Sequence, residues 1–314
     1  MMSFFDSMKY FRSKYEIFNL LEELHNYVSN HDLSKIKIKV NNLEEYSNKK
    51  SEKFDVVMFH SQINESAIIK YKDIDIGFDL KEYNYNEIIK TNINFLLKSN
   101  KINKIFLFSN YDFKIFKSKK INIIYTKIDT KKLMFERTLS MYSFIKSNLF
   151  LNNTCFVDTD VFINSDNLNI FNKDFDIALT QRIERTLMPI NEGVIFVKKN
   201  SKQNVETFFA NYLKIFTIIS KSKVVDSFYG DDVNKWRGGQ LSLNVLSESG
   251  ESIFKDFEII NVFNNKVLIL PSFHYNFTPS LRKEYSFEYL KNKSIIHYKG
   301  PVKKYFNDFK IIYS

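Results

Sequence analysis

Cysteine is almost absent. Cys155 is the only one, which excludes an internal disulfide and any multi-cysteine zinc site, so a protein-bound metal would have to use Asp, Glu or His. Apolar runs of the roughly 20 residues needed to cross a bilayer are also lacking. The opening stretch MMSFFDSMKYFRSKY breaks its apolar residues with Asp6, Lys9 and Arg12, so it has no signal-peptide core. The expectation is a cytoplasmic protein, with peripheral membrane association left open. Arginine is scarce too, confined to Arg12, Arg137, Arg182, Arg185, Arg237 and Arg282. Lysine therefore carries nearly all of a formal charge of +10, which invites an anionic partner: nucleic acid, a lipid surface or a phosphorylated small molecule. The abundance of lysine, asparagine and isoleucine points to coding bias, so lysine runs read as solvated faces. The few arginines carry more information, because lysine cannot replace their planar fork in bidentate recognition. No zinc-finger, helix-turn-helix or RNA-recognition signature occurs, and the aromatic residues are spread through the apolar segments as core. Nucleic acid is accordingly not the expected partner.

The apolar share of 44% and charged share of 26% over 314 residues suit a soluble globular chain with a large core. Phe4, Met8, Phe11, Tyr15, Phe18 and Leu21 form a helical stripe within residues 3–29, read as packing on the main body. KIKIKV, residues 35–40, alternates like a short edge strand, and NNLEEYSNKKSE, residues 41–52, is loop-like. Residues 1–50 are thus expected to be a helical extension and 51–314 the main domain. From residue 53 strands and helices alternate: FDVVMFH, the helix YNEIIKTNINFLLKSN, KIFLFSN, INIIYTKI, the helix KLMFERTLSMYSFIKSN, then TCFVDTDVFI. DIALTQ, NEGVIFVKKN, the long helix SKQNVETFFANYLKIFTIIS, the helix QLSLNVLSE and short closing strands follow. This order predicts an α/β fold with a mixed, largely parallel sheet flanked by helices, whose ligand sits at the carboxyl ends of strands.

TCFVDTDVFI, residues 154–163, sets two carboxylates in an apolar run read as one strand. In a strand Asp158 and Asp160 project to one face. Buried unpaired they would be very costly, so either they are solvated at the strand's end or a cation neutralises them, and a hard divalent ion such as Mg2+ or Mn2+ suits two carboxylates. An ordinary turn explains DTD alone equally well.

The company of DTD narrows this. A strand ending in DTD, then NEGVIFV some thirty residues on, then IIHYKGPVKK near the C-terminus resembles, in that order, the GT-A glycosyltransferases. The likeness is to the family-eight group of glycogenin-like and lipooligosaccharide galactosyltransferases, and it covers roughly residues 53–304. It implies the Rossmann-like GT-A fold and transfer of a sugar from a nucleoside-diphosphate sugar, UDP favoured over GDP, to a hydroxyl of a glycan, lipid-linked or protein acceptor. The implied metal ligands are Asp158, Asp160 and His297, holding Mn2+ or Mg2+. Arg137, Asp158, Gly300 and Lys303 would face the donor phosphates, and His60, with Gln62, lies where its base would sit. Asn191 would face the transferred sugar or acceptor, and Gln240 belongs to the element D-Q-x-x-L-N, completed here by Leu243 and Asn244. One position departs: Gly239 stands where the group has Asp, with Asp231 or Asp232 as replacements from the preceding loop. The resemblance implies retention of configuration; an inverting enzyme would need a general base instead, and Asp232 is the candidate for that as well. Two other readings compete. A haloacid-dehalogenase-like phosphatase would use Asp158 and Asp160 with the downstream YGDD, but its nucleophile strand belongs near the N-terminus. A basic, non-enzymatic anion-binding module is the other.

Overall fold

The computed structural model describes residues 20–43, 46, 48–62, 85–113, 116, 118–182, 188–229, 237–247, 254–279, 284, 286–299 and 302–303. Its frame is an eight-stranded sheet in the order β3-β2-β1-β4-β7-β6-β9-β8, from Ile121–Tyr125 (β3), Ile102–Ser109 (β2), Phe54–His60 (β1), Thr154–Val157 (β4), Ile190–Val197 (β7), Ile177–Gln181 (β6), Asn265–Pro271 (β9) and Ile259–Val262 (β8). β1 to β4, β6 and β9 run one way, whereas β7 and the edge strand β8 run against them. Val161–Ile163 (β5) and Ile295–His297 (β10) form a separate antiparallel pair. The expected α/β class, a mixed and largely parallel sheet flanked by helices, is what the protein adopts.

Side-chain alternation explains the layering, because successive strand residues face opposite sides. Val57, Phe156 and Ile195 face one core, and Val56, Met58, Cys155, Val157, Val194 and Phe196 face the other. The first core is covered by the helical residues 20–29 (α1), Leu133–Lys146 (α3), Lys202–Ile219 (α4) and Gly238–Leu246 (α6); the second by Tyr85–Lys98 (α2). Lys223–Tyr229 (α5), Ser272–Tyr275 (α7) and Phe287–Leu290 (α8) complete the helices described. In α4 Val205, Phe208, Phe209, Tyr212, Leu213, Phe216 and Ile219 recur at the helical spacing and are buried.

Two sequence expectations change. TCFVDTDVFI is not one strand: β4 stops at Val157, Asp158–Asp160 turn, and β5 starts at Val161 in the other sheet. A central strand continuing through both aspartates would bury them without partners; the turn takes them to the sheet's rim. KIKIKV forms no strand. Ile36, Ile38 and Val40 are partly buried against the first core, and the amide of Asn41 donates to Ser143 Oγ on α3 at 3.1 Å, so the segment crosses the helical layer and joins no sheet edge. Of the N-terminal stripe only Leu21 lies within the described residues, and it is buried.

Candidate active site

The site assembles where the strands' directions bring their ends together. β1 and β4 are parallel, so His60 and the DTD turn share the carboxyl edge. β7 is antiparallel to β4, so its start, Asn191 to Gly193, lies on the same edge, and the amide of Asp158 donates to the Gly193 carbonyl at 3.1 Å. β6 and β9 end there too, and β9 runs into α7 and Asn276. β10, paired with β5, sets His297 opposite Val161.

Asp158 Oδ2, Asp160 Oδ1 and His297 Nε2 converge, the last lying 3.7 Å from the first and 3.3 Å from the second. They form the one group of three or more Asp, Glu, His or Cys among the described residues able to hold a metal ion, every donor atom within 4.8 Å of the others. Each carboxylate commits its other oxygen to a cation of the chain: Asp158 Oδ1 to Arg137 Nη2 at 2.8 Å, Asp160 Oδ2 to Lys303 Nζ at 2.8 Å. The inward oxygens are left for a ligand. Burial by itself would raise the Asp160 carboxyl, but Lys303 and His297 outweigh it and hold it well below the usual carboxylate range, while Asp160 in turn raises Lys303.

The histidine is prepared for ligation from behind. Nδ1 lies 2.8 Å from Asn276 Oδ1, and Asn276 Nδ2 donates to Asn191 Oδ1 at 2.6 Å and Thr180 Oγ1 at 2.8 Å. With its NH2 spent on two acceptors, Asn276 presents an oxygen to the ring, so Nδ1 carries a proton and Nε2 is the nitrogen turned toward the aspartates, where a metal ion would take its lone pair. Gly193 is required by the closeness of these groups: a Cβ there would lie 2.6 Å from His297 Cε1 and 2.9 Å from Asp158 Oδ2. The pairing of β6 with β7 shifts register between Leu179 and Thr180, so that Glu192 to Val194 of β7 have no partner residue on β6. The DTD turn is braced by Asn92 of α2, whose Nδ2 donates to the carbonyls of Thr159 at 3.0 Å and Val161 at 2.7 Å. Two carboxylates and an imidazole lone pair, cradled by a glycine, are a donor set that fits a divalent cation.

The other sequence candidates fall as follows. Arg137 is buried, not a surface arginine, and its guanidinium also donates from Nη2 to the Glu192 carbonyl at 2.7 Å. Asn191 Oδ1 accepts from the Gly193 amide at 3.0 Å as well as from Asn276, so this oxygen is engaged within the chain. Gln240 Nε2 donates to the Met188 carbonyl at 3.2 Å. Asn244 brackets Ile190, accepting from its amide and donating to its carbonyl, each at 3.1 Å, which ties α6 to the start of β7. His60 is buried at the end of β1, its Nε2 without a hydrogen bond and its ring against Phe113; burial pushes it down to about 4, leaving the imidazole neutral. Gln62 is held by Asn110, whose Oδ1 accepts its amide at 2.8 Å. Asp231, Asp232 and Gly300 lie outside the described residues.

Three participants gave no readable signal in the sequence. Asn276 lies in no motif, Tyr212 reads as one more apolar position of α4, and Glu192, though inside NEGV, is flanked by the two residues that drew attention. Glu192 Oε2 accepts from Tyr212 Oη at 3.0 Å, and burial, against the opposing pull of Arg137, raises its carboxyl to about 7. Gly239 also acquires a reason: a Cβ there would lie 2.0 Å from Glu192 Oε2.

No protein-family model and no curated protein sequence matches the chain. Among solved structures it is similar to the glycosyltransferase GlyE of Streptococcus pneumoniae TIGR4, with 16% identity and a TM-score of 0.44, covering 84% of this chain and 62% of that one. It thus spans less than two thirds of GlyE. It is also similar to a glycosyltransferase involved in glycosylation of the major capsid of PBCV-1, with 10% identity, a TM-score of 0.43 and coverage of 83% and 99%. A third is the galactosyltransferase LgtC in complex with donor and acceptor sugar analogues, with 11% identity, a TM-score of 0.43 and coverage of 82% and 95%.

Proposed function

We propose that the chain is a metal-dependent glycosyltransferase of GT-A type that moves a sugar from a nucleoside-diphosphate donor, UDP favoured over GDP, to a hydroxyl of a glycan, lipid-linked or protein acceptor. The observation that carries this is the inward-facing trio of Asp158 Oδ2, Asp160 Oδ1 and His297 Nε2, backed by Arg137 and Lys303. Breaking a glycosidic bond to a diphosphate leaves growing negative charge on the leaving group, so catalysis needs cations fixed where that charge develops. A divalent ion held by the trio supplies a Lewis acid for the diphosphate. Lys303 and Arg137 add fixed positive charge beside it, already aligned by their carboxylate partners. Neutral His60 offers a hydrogen-bonding edge for the base at the end of β1. Residues 51–314 are the proposed catalytic unit, with 1–50 an extension, and retention is the stereochemical outcome that the resemblance implies.

Titration with UDP and GDP, with and without Mn2+, tests the reading: metal-dependent binding of one nucleotide is expected, and its absence for both would sink it. Phosphate release from p-nitrophenyl phosphate would instead favour the phosphatase. Asp160→Asn keeps the side-chain shape while removing a ligand charge. It should lower turnover about a hundredfold or more with the fold intact, as judged by circular dichroism, and unchanged turnover would mean that the metal lies elsewhere.

A further inference from the structure

Arg137 is held by more than Asp158. Its Nη2 binds both Asp158 Oδ1 at 2.8 Å and the Glu192 carbonyl at 2.7 Å, and its Nη1 faces Glu192 Oε2 at 3.6 Å. Glu192, 5% exposed, and Arg137, 3% exposed, are both buried, and Tyr212 Oη orients the glutamate by donating to the same Oε2 at 3.0 Å. The guanidinium is thus pinned on one side by a residue of the metal-binding trio and on the other by a glutamate of β7. Burying such a charge network contributes little net stability compared with an apolar replacement of the same volume, so stability alone gives a weak account of it. Its geometric result is specific. With Oδ1 of Asp158 fixed on Arg137, Oδ2 is the oxygen that faces His297.

Space at Gly239 points the same way. A Cβ at 239 would lie 2.0 Å from Glu192 Oε2, 2.9 Å from its carboxyl carbon and 3.0 Å from Tyr212 Oη. A side chain from α6 and the glutamate from β7 therefore compete for one volume, and only one carboxylate fits there.

We propose that Glu192 is a positioning residue of the site, fixing Arg137 so that Asp158 turns Oδ2 inward, and that position 239 lacks a side chain to leave room for the Glu192 carboxylate. The proposal rests on the metal-binding reading of the trio. It makes the source of the carboxylate exchangeable: an aspartate at 239 would deliver its carboxylate from α6 into the volume that Glu192 vacates when truncated.

The test compares the full chain with Glu192→Gln, Glu192→Ala and the double variant Glu192→Ala with Gly239→Asp, reading Mn2+ affinity, Mn2+-dependent UDP affinity and Tm for each. Loss of the carboxylate should weaken Mn2+ binding about tenfold or more in both single variants, the size of effect usual for groups that orient metal ligands. The double variant should recover most of that loss. A merely structural role would let the double variant recover Tm without recovering Mn2+ affinity. Wild-type Mn2+ affinity in Glu192→Gln, or a folded double variant no tighter than Glu192→Ala, overturns the proposal. Should the wild type bind Mn2+ but neither UDP nor GDP, the transferase reading fails while the Mn2+ comparison still decides the role of Glu192. If it binds no Mn2+, both fall.

Discussion

At the scale of single residues, the site is a set of charges each held by an opposite charge or a hydrogen bond. Asn276 acts through His297, so Asn276→Ala frees the imidazole to hold its proton on either nitrogen and should weaken Mn2+ binding between about tenfold and a hundredfold, measured by titration. Lys303→Met should strand the buried Asp160 carboxylate and lower metal-free stability by about 3–5 kcal/mol. Saturating Mn2+ should return part of that loss, because a cation bound by Asp160 replaces the missing charge; equal melting shifts with and without Mn2+ would contradict this. Glu192 sets a pH dependence of definite sign. Its carboxyl is raised by burial from 4.5 to about 7, so the folded protein keeps a proton that the unfolded chain has released between those values. The stability so contributed is fully present below about pH 4.5 and is lost as pH rises through 7, amounting to about 3 kcal/mol across the window. Tm measured from pH 5 to 8 should fall more steeply in the wild type than in Glu192→Gln. Asp158, Asp160 and His297 are brought together as the motif order implies, whereas Glu192 and Asn276 were illegible: a glutamate's pairing with an arginine 55 residues away follows from strand register, and nothing in the spacing announces it.

At the scale of elements, two short connections decide where the chemistry goes. The first is the DTD turn between β4 and β5, whose carbonyls are held by Asn92. Asn92→Leu would leave those buried carbonyls unpaired and should cost about 1–3 kcal/mol, read from urea unfolding; it should also weaken Mn2+ binding, since the turn that aims both aspartates loosens. The second is the start of β7, tied to α6 by Asn244 and bent by the register shift opposite β6. Element types were legible from hydrophobic period: α2, α3, α4 and α6 stand where the apolar spacing put them. What misled was local alternation taken without its surroundings. TCFVDTDVFI has the composition of one strand, but the cost of burying two carboxylates without partners breaks it at a turn where Arg137 and Lys303 reach them, and KIKIKV has a strand's period with its apolar face already used against helices.

At the scale of the molecule, one sheet separates two phenylalanine-rich cores, and its carboxyl rim carries the site. Phe209, fully buried on α4 against Phe156, Phe208 and Tyr212, belongs to the core beneath Glu192. Phe209→Ala should cost about 3–5 kcal/mol, whereas Ile259→Thr, at a residue 50% exposed on the edge strand β8, should stay near 0.5 kcal/mol, and chemical denaturation separates the two. No described helix is long and apolar enough to cross a membrane.

The sequence by itself determined the alternation of strands and helices and the exclusion of an internal disulfide, because period and residue type are local properties, while the grouping of Asp158, Asp160 and His297 was legible only through the motif order that carries the family resemblance. The tertiary structure alone decided which oxygen of each aspartate faces inward, which imidazole nitrogen is free, and why position 239 is glycine. Those depend on Arg137, Lys303, Asn276 and Glu192 arriving from separate elements, and only the register of the sheet and the packing of helices on it bring such residues within hydrogen-bond reach.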